Sequence, residues 1–600
     1  MKRDPRFDIL FEPVKIGPVT SKNRFFQVPH CNGMGYLRPK SLAAMRGIKA
    51  EGGWGVVCTE EVYIHPSSEC DPMVEGRLWD DDDIPALAKM TEAVHEHGSL
   101  AGIELQHGGY CSTNHYSRIP PISPSPISVD SYAPIQARAM DKSDIRNFRK
   151  WHRQAALRSK QAGFDIVYVY AAHSGTLLTH FLSRRINRRT DEYGGSLENR
   201  VRLFRELIED TKDAVGDSCA VAVRFCVEEF LGSQGITSEN EGKEIIEMLA
   251  ELPDLWDVNI SDWSMDSATS RFESEGYQEP YMAFVKSITS KPVVGVGRFT
   301  SPDTMLSLIQ RGVMDMIGAA RPSIADPFLP KKIEEGREDE IRECIGCNIC
   351  VMSDELSVPI SCTQNPTMGE EWRRGWHPER IEPRNSEDGV LVVGGGPAGL
   401  ECALALGQRG YRVILAEASQ ELGGRVSRES RLPGLAEWGR VRDYRVLMLE
   451  RLANVTIYRE NPLSADEIFE FSAEDQFDYS HVMLANGSSW RRNGLGRIHR
   501  EPIPGLDKLT VFTPDDIMDG VLAKGRVVVF DDDHFYMGGV LAEKLRREGH
   551  DVLLVTPAPD ISTWTHKTLE QRKIQKQLMD LGVELATQTN LTAAETGKVE

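Results

Sequence analysis

The sequence predicts an α/β protein of more than one domain, and three observations carry that prediction. Eight short apolar runs alternate with amphipathic helical stretches through the first half, and a strand-like V-L-V-V runs into a glycine-rich turn near residue 394. Between the two patterns lies a knot of cysteines, C-I-G-C-N-I-C. The first pattern has the count of a (β/α)₈ TIM barrel, with a doubly wound sheet as the runner-up. The second reads as a Rossmann-like fold. The expected boundaries are 1–340 for the barrel, 341–388 for the cysteine segment and linker, and 389–600 for the Rossmann-like domain.

Six hundred residues are too many for a single core, and 40% hydrophobic with 27% charged residues describes an ordinary globular chain. A net charge of −20 argues against nucleic acid or an anionic membrane as partner. No apolar run reaches the ~18 residues of a membrane span, and Met1-Lys-Arg-Asp-Pro is not followed by an apolar signal core. A cytoplasmic protein is expected.

The barrel strands are expected at Phe25–Val28, Gly55–Glu60, Leu100–Leu105, Asp165–Tyr170, Cys219–Phe225, Trp256–Ile260, Pro292–Val296 and Met314–Ile317. Helical stretches such as Asp82–His97, Lys142–Ala162, Ser196–Val215 and Glu239–Leu252 fall between them. Active sites of this fold gather where the strands end. There the chain offers His30 and Cys31 after the first strand, Glu60 and Glu61 after the second, and Glu104, Gln106 and His107 at the third. Tyr170 and His173 end the fourth strand and Arg224 the fifth, while Trp263 and Asp266 follow the sixth. The last two strands lead into Gly295-Val-Gly297-Arg298 and Gly318-Ala-Ala-Arg321. Glycine turns with a basic residue at these two loops commonly hold a phosphate, so a phosphorylated cofactor is expected across the mouth.

Cys344, Cys347 and Cys350 follow one another at steps of three, with Cys362 beyond a gap of eleven residues. Three thiolates on one tight loop and a fourth at a distance suit a cubane 4Fe-4S cluster. Structural zinc remains an alternative, although it usually takes two separated C-x-x-C pairs. Disulfides would need an oxidising compartment, and the other seven cysteines are scattered without pattern. A cluster moves single electrons, so a source of electrons is expected close by.

After a polar, proline-containing linker at Pro366–Asp388, Val390–Leu400 supplies a strand, a G-x-G-x-x-G turn (Gly394, Gly396, Gly399) and a helix start. Glu417 ends the next strand, where an acid could take a ribose hydroxyl. This is the pattern of an FAD/NAD(P)-type nucleotide fold. A second unit starts at Arg526–Phe530 but continues with Asp531-Asp-Asp533, acids where backbone amides should meet pyrophosphate.

Arg189–Arg200 (R-T-D-E-Y-G-G-S-L-E-N-R), E-L-Q-H-G-G at Glu104–Gly109, and G-V-G-R ahead of A-R-P at Ala320–Pro322 resemble the flavin barrels of the old yellow enzyme superfamily. The cysteine motif and the nucleotide domain narrow the resemblance to its two-domain branch. That branch holds trimethylamine, dimethylamine and histamine dehydrogenases, and also 2,4-dienoyl-CoA and enoate reductases. The resemblance implies FMN in the barrel, contacted by His30, Glu104, Arg224, Gly297, Arg298 and Arg321. V-P-H-C at Val28–Cys31 resembles the segment of the amine dehydrogenases whose cysteine bonds to C6 of FMN, so it implies a 6-S-cysteinyl linkage at Cys31. Read alone, Cys31 is a buried free thiol.

Tyr170, His173 and Asp266 resemble the Tyr–His–Asp set of the methylamine enzymes, which favours the neutral amine. Read alone, Tyr170 is a packed strand-end aromatic. Trp263 matches a tryptophan of the bowl that holds a methylated ammonium by cation–π contact. Glu61 and Asp354 stand where the trimethylamine enzyme has a tyrosine and a second tryptophan, and an aspartate at the latter position resembles histamine dehydrogenase. Glu61 reads equally well as a solvated loop acid.

The resemblance thus implies oxidation of a small cationic amine, either a histamine-like primary amine or an N-methylated amine or amino acid. Electrons would pass from FMN through the cluster to an electron-transferring flavoprotein. Tyr444 matches a surface tyrosine near the electron exit, and alone reads as an exposed helix residue. The resemblance also implies a homodimer and a nucleotide fold that holds ADP without redox role, or FAD. The chain reaches Glu600 ahead of the closing strand and G-D motif usual in such domains, so truncation or an incomplete domain is expected. The rival readings are an NAD(P)H-dependent ene reductase and a non-catalytic electron-transfer subunit.

Overall fold

The computed structural model describes residues 2–70, 72–128, 135–471, 479–521 and 523–599. The chain forms two compact units. The first comprises Met1–Ala268, Ser274–Cys344 and Asn348–Pro378, and the second Thr269–Glu273, Ile345–Cys347 and Glu379–Glu600. Among the described residues no helix is long and apolar enough to cross a membrane.

The first unit is a closed parallel barrel. Its strands are β1 (Phe25–Gln27), β2 (Val56–Tyr63), β3 (Leu100–Gln106), β4 (Ile166–Ala171), β5 (Ala220–Cys226), β6 (Leu255–Asn259), β7 (Val293–Gly295) and β8 (Met316–Gly318). Each pairs with the next, and β8 returns to β1 through Ile317↔Phe25 and Gly318↔Phe26. All eight expected strands are present, with ends shifted by at most three residues. Helices α1 (Pro39–Glu51), α2 (Ile84–His95), α3 (Lys142–Gln161), α4 (Leu197–Val215), α5 (Glu241–Leu249) and α6 (Pro302–Gln310) cover the outside. Their starts follow from local chemistry. The Asp141 carboxylate accepts backbone N–H bonds from Ser143 and Asp144 ahead of α3, and the Ser196 hydroxyl accepts from Asn199 ahead of α4.

Strand alternation sorts the side chains into two cores. Val167, Val169 and Ala171 of β4 face the helices with Phe204, Phe225 and Trp256, whereas Ile166 and Tyr168 fill the barrel with Phe26, Val56, Cys58, Ala222, Leu255 and Met316. Continued to the strand ends, the inward row becomes polar: Glu104 and Gln106 on β3, Tyr170 on β4, Arg224 on β5, Asp257 and Asn259 on β6.

Strand β2 breaks this parity. Cys58 pairs with Gly102, but the next partners are Glu61 and Glu104, so one residue is absorbed by a bulge between them. Glu61 therefore lies inside β2, opposite Glu104, and is 7% exposed. The solvated-loop reading of Glu61 is corrected by this placement. Glu60, also buried, takes an Nδ2–H bond from Asn32 (2.6 Å).

The second unit carries two parallel sheets. In the first, β9 (Gly389–Val393), β10 (Arg412–Ala416), β11 (Val455–Tyr458) and β12 (His481–Leu484) lie in the order β11-β10-β9-β12; the second is β13 (Val527–Phe530), β14 (Val552–Val555) and β15 (Glu584–Ala586). Tyr444, expected at the surface, is only 8% exposed. Its ring packs in the core under β9 and β10 with Val390, Leu400 and Leu415, because its position on the Arg440–Glu450 helix faces the sheet.

Phe225 is fully buried between Phe204 and Trp256, at ring distances of 6.0 and 6.4 Å. Phe225→Ala should cost about 3–5 kcal/mol in urea unfolding followed by circular dichroism. A loss below about 1 kcal/mol would mean the helix–strand core is looser than described.

Candidate active site at the barrel mouth

The inward row converges on a hydrogen-bonded chain of four side chains. The Tyr170 hydroxyl lies 3.0 Å from Glu61 Oε1 and also contacts His173 Nδ1. His173 Nε2 lies 3.2 Å from Asp266 Oδ2 and 2.6 Å from the Asn259 amide. His173 follows β4 in the left-handed region, φ 56°, as does Ser174 at 55°. For non-glycine residues this costs free energy, and it turns the imidazole back over the mouth. Trp263 borders the imidazole edge-on, with ring centroids 6.1 Å apart. It heads a short helix, Trp263–Asp266, capped by Asp262.

The tautomer follows from the partners. The Asn259 Nδ2–H points at Nε2 from 2.6 Å and is accepted there, while the Tyr170 hydroxyl donates to Glu61 Oε1. Nδ1 then carries the ring proton and faces the Tyr170 oxygen. Burial lowers the His173 pKa below the usual histidine value, opposed by Asp266. Asp266 is pulled below the usual range by His173, against its own burial. Its other oxygen accepts from Gln278 Nε2 at 2.9 Å, and the Tyr277 hydroxyl donates to the Met265 carbonyl at 2.7 Å.

Carboxylates crowd one side of this chain. Asp354, on the helix Ile349–Glu355, accepts the Gly33 backbone N–H at 2.8 Å. Gly33 has φ 63°, and a Cβ there would sit 2.0 Å from the Val358 carbonyl oxygen, so only glycine lets these two loops meet. Cys31 Sγ, a Glu75 oxygen and an Asp354 oxygen all lie within 4.8 Å of one another. Burial pushes Glu61 up to about 8, and Asp354 and Glu104 each to about 7. Glu104 rises although Arg224 NH1 is 3.3 Å from it. Burial, then Glu75, Asp354 and Glu61, hold the Cys31 thiol well above its ordinary value.

His30, next in the chain, has the opposite surroundings. Its Nδ1 donates to the Cys31 carbonyl at 3.0 Å, and Nε2 accepts from Arg46 NH1 (2.7 Å) and Lys49 Nζ (2.6 Å). Both cations are completely buried, and burial with their charge keeps His30 well below its usual pKa. Arg321 NH1 donates to Ala268 O (2.9 Å), Ser267 O (3.1 Å) and Asn348 Oδ1 (2.8 Å). Arg298, at φ 56°, reaches Ala268 O at 3.5 Å, and Gly297 has no room for a Cβ beside Phe299.

These surroundings fit a flavin mononucleotide. Glu60 Oε1, Gln106 Oε1 and Arg224 Nε are buried without a hydrogen-bond partner, and a planar heterocycle with mixed donors and acceptors would satisfy such atoms. Arg298 and Arg321 lie on the loops after β7 and β8, where barrels hold phosphate. The cysteine segment likewise fits an anionic cluster. Cys350 and Cys362 pack against Met34, Met45 and Met368. The Gln364 backbone N–H donates to Cys362 Sγ at 3.4 Å, and Cys350 and Cys362 both act electrostatically on buried Lys49. All eleven cysteines are free of disulfides.

In the second unit Gly394 has φ 104°, Gly396 caps the Pro397–Gln408 helix, and a Cβ on Gly399 would lie 1.8 Å from the Gly394 carbonyl oxygen. Glu417 accepts the Gly395 N–H at 2.6 Å. Asp531 accepts backbone N–H bonds from Asp533 (3.1 Å) and His534 (2.9 Å), so the acid itself occupies amides a phosphate would need. Sequence reasoning missed Asn259, Glu75, Gln278 and Asn348. Only Asn259 left a trace, as a polar residue of inward parity in an apolar strand.

Residues 9–340 match the NADH:flavin oxidoreductase / NADH oxidase family, 389–462 the FAD dependent oxidoreductases, and 512–600 the OYE-like second alpha/beta domain. Dimethylamine dehydrogenase of Hyphomicrobium sp. is 43% identical, over 100% of this chain and 83% of its own length. Among solved structures, histamine dehydrogenase from Rhizobium sp. 4-9 superimposes with a TM-score of 0.96 at 52% identity, covering 99% of this chain and 86% of that one. The 6-hydroxypseudooxynicotine amine oxidase from Pseudomonas geniculata N1 gives 0.97 at 53%, covering 100% and 89%.

Asp266 raises the His173 pKa, so Asp266→Asn should lower it further. Nitrogen-15 NMR of labelled histidine checks this, and a rise would contradict the assigned pairing.

Proposed function

The chain belongs to the NADH:flavin oxidoreductase / NADH oxidase family, in the branch of the dimethylamine and histamine dehydrogenases, and from this we propose that it oxidises a small cationic amine at the barrel mouth. The observation that carries the proposal is the Glu61–Tyr170–His173–Asp266 chain beside Trp263. An alkene reductase needs two free donors for a carbonyl oxygen; here Tyr170 and His173 bond to each other.

Trp263 offers a ring face to the cation, a contact worth ~0.5–2 kcal/mol. Glu61 and Asp354 place carboxyl groups that ionise near neutrality where a bowl for a fully methylated ammonium would present rings, which favours an amine with N–H donors. Candidates are a histamine-like primary amine, or an N-methylated amine or amino acid. His173, oriented by Asp266 and Asn259, fixes the Tyr170 hydroxyl, and the pair favours the neutral amine with its lone pair free. The oxidised product is an imine, which water splits to a carbonyl compound and ammonia or a smaller amine.

FMN, covalently held by Cys31 and contacted by His30, Glu104, Arg224, Gly297, Arg298 and Arg321, supplies the two-electron acceptor when bound. A 4Fe-4S cluster on Cys344, Cys347, Cys350 and Cys362 carries single electrons onward, with an electron-transferring flavoprotein as acceptor. Buried Arg46 and Lys49 would offset its negative charge. The second unit would bind ADP or FAD around Gly394, Gly396, Gly399 and Glu417 without redox role, and Asp531 argues against a pyridine nucleotide. A homodimer is the expected assembly.

Acid denaturation should leave yellow colour on the parent polypeptide and release it from Cys31→Ala; release from both would remove the covalent linkage. An amine panel should bleach the flavin of the parent anaerobically, and a panel without effect would overturn the amine reading. Cys347→Ala should lose iron by metal analysis, with the barrel still folded; full iron retention would exclude Cys347 as a ligand.

A further inference from the structure

We propose that Gln278 is a positioning residue of the site: its amide grips Asp266 at two points and so sets how firmly that carboxylate faces His173. The kinetic part of this proposal rests on the amine reading; the hydrogen bonds do not.

Trp263 and Asp266 share a four-residue helix, and a single turn is too short to hold itself in place. Its start is capped by Asp262, whose Oδ1 accepts the Ser264 and Met265 N–H groups at 3.0 and 3.2 Å. Its end is held by two side chains from farther along the chain. The Tyr277 hydroxyl donates to the Met265 carbonyl at 2.7 Å and also reaches the Asp266 carbonyl. Gln278 Nε2 donates to the Asp266 carbonyl at 3.1 Å and to Asp266 Oδ1 at 2.9 Å. The two hydrogens of the amide thus match two oxygens of one residue, and the Tyr277 oxygen lies 3.2 Å from the same nitrogen. With its carbonyl and Oδ1 fixed by one group, Asp266 presents Oδ2 to His173 Nε2 at 3.2 Å.

Two observations mark the contact as more than packing. Gln278 is 1% exposed, and its Oε1 is buried without a hydrogen-bond partner. An unpaired buried oxygen costs stability, yet turning the amide over would aim that oxygen at a carboxylate, so Asp266 dictates the orientation. Gln278 also stands at the N-cap of the Glu279–Met282 helix but makes no side-chain bond to it. The clamp is anchored in turn, because the Gly276 N–H donates to the Gly297 carbonyl at 2.8 Å on the loop after β7. Its consequence is electrostatic. Burial lowers the His173 pKa, and the Asp266 carboxylate opposes this by favouring the protonated ring. Against its own burial, Asp266 is held below the usual carboxylate range by His173 first, then by Arg224 and Gln278. The other titratable groups that act here are Asp262 on the cap, Glu104 of β3, Cys226 of β5 and Asp257 of β6.

Q278M removes both donors at nearly constant length, and Q278N keeps the amide but withdraws it by one methylene. Nitrogen-15 NMR of the histidine-labelled holoenzyme should show the His173 protonation constant reduced about tenfold in Q278M, with Q278N shifted the same way. Loss of the donor without loss of position would make Asp266 the stronger partner and raise the constant. A constant unchanged or increased, in whichever of the two variants folds, would therefore overturn the proposal. Y277F, which removes the hydroxyl but leaves the fork on Asp266, should keep the constant within about twofold of the parent. A fall as large as that of Q278M would assign the effect to the helix end and overturn the role of the amide. On an accepted amine, Q278M should lose about tenfold in kcat with KM nearly unchanged, because Asp262 still holds the Trp263 end. A rise in KM that accounts for the whole loss would mean that the entire helix had moved, and would overturn the proposal too. If no amine bleaches the parent flavin, the amine reading falls, and the NMR result still decides whether Gln278 positions Asp266.

Discussion

The pairing of β8 with β1 is the constraint on which the site depends. Ile317 must meet Phe25 and Gly318 must meet Phe26 for the sheet to close. Closure removes both sheet edges and forces all eight strand ends to point at one small area. Residues as far apart in the chain as Cys31, Glu61, Tyr170, Asn259 and Arg321 then surround a single mouth. An open sheet would leave them spread along an edge.

Closure also sets the electrostatics, because the mouth excludes most water and every ionisable group there must find a partner or change its protonation. Neighbouring residues solve this in opposite ways. His30 is held neutral between the buried cations Arg46 and Lys49. Cys31 is held as a thiol by burial and by Glu75, Asp354 and Glu61. A cationic zone and an anionic zone thus lie one residue apart, the first suited to an anionic cofactor or cluster, the second to a cationic substrate. Within the anionic zone several carboxyl groups have pKa values close to neutrality, so the protonation of the pocket can respond to what enters it.

Backbone features give the side chains their aim. The left-handed conformation of His173 turns the imidazole toward both Tyr170 and Asp266. Gly33 brings the loop after β1 against the segment after the cysteine motif, which is how Asp354 reaches the pocket. Strain and close approach of this kind concentrate where geometry must be exact to fractions of an ångström.

The sequence by itself determined the barrel, the nucleotide fold and the cysteine motif. Those signals are local: buried parallel strands read as apolar runs, a glycine turn needs its glycines in order, and three thiolates at steps of three need no partner to be seen. It also placed Tyr170, His173, Asp266 and Trp263 at strand ends. Only the tertiary structure decided how they are used. Parity along β2 would aim Glu60 inward and leave Glu61 outside the row, and it is the bulge opposite Gly102 and Glu104 that brings Glu61 to Tyr170. Asn259, Glu75 and Gln278 became visible only once distant segments met, and Tyr444 proved to face a core its helix alone does not reveal. Spacing along a chain reports local geometry, whereas burial, register and the direction of a shared proton depend on neighbours that the fold supplies.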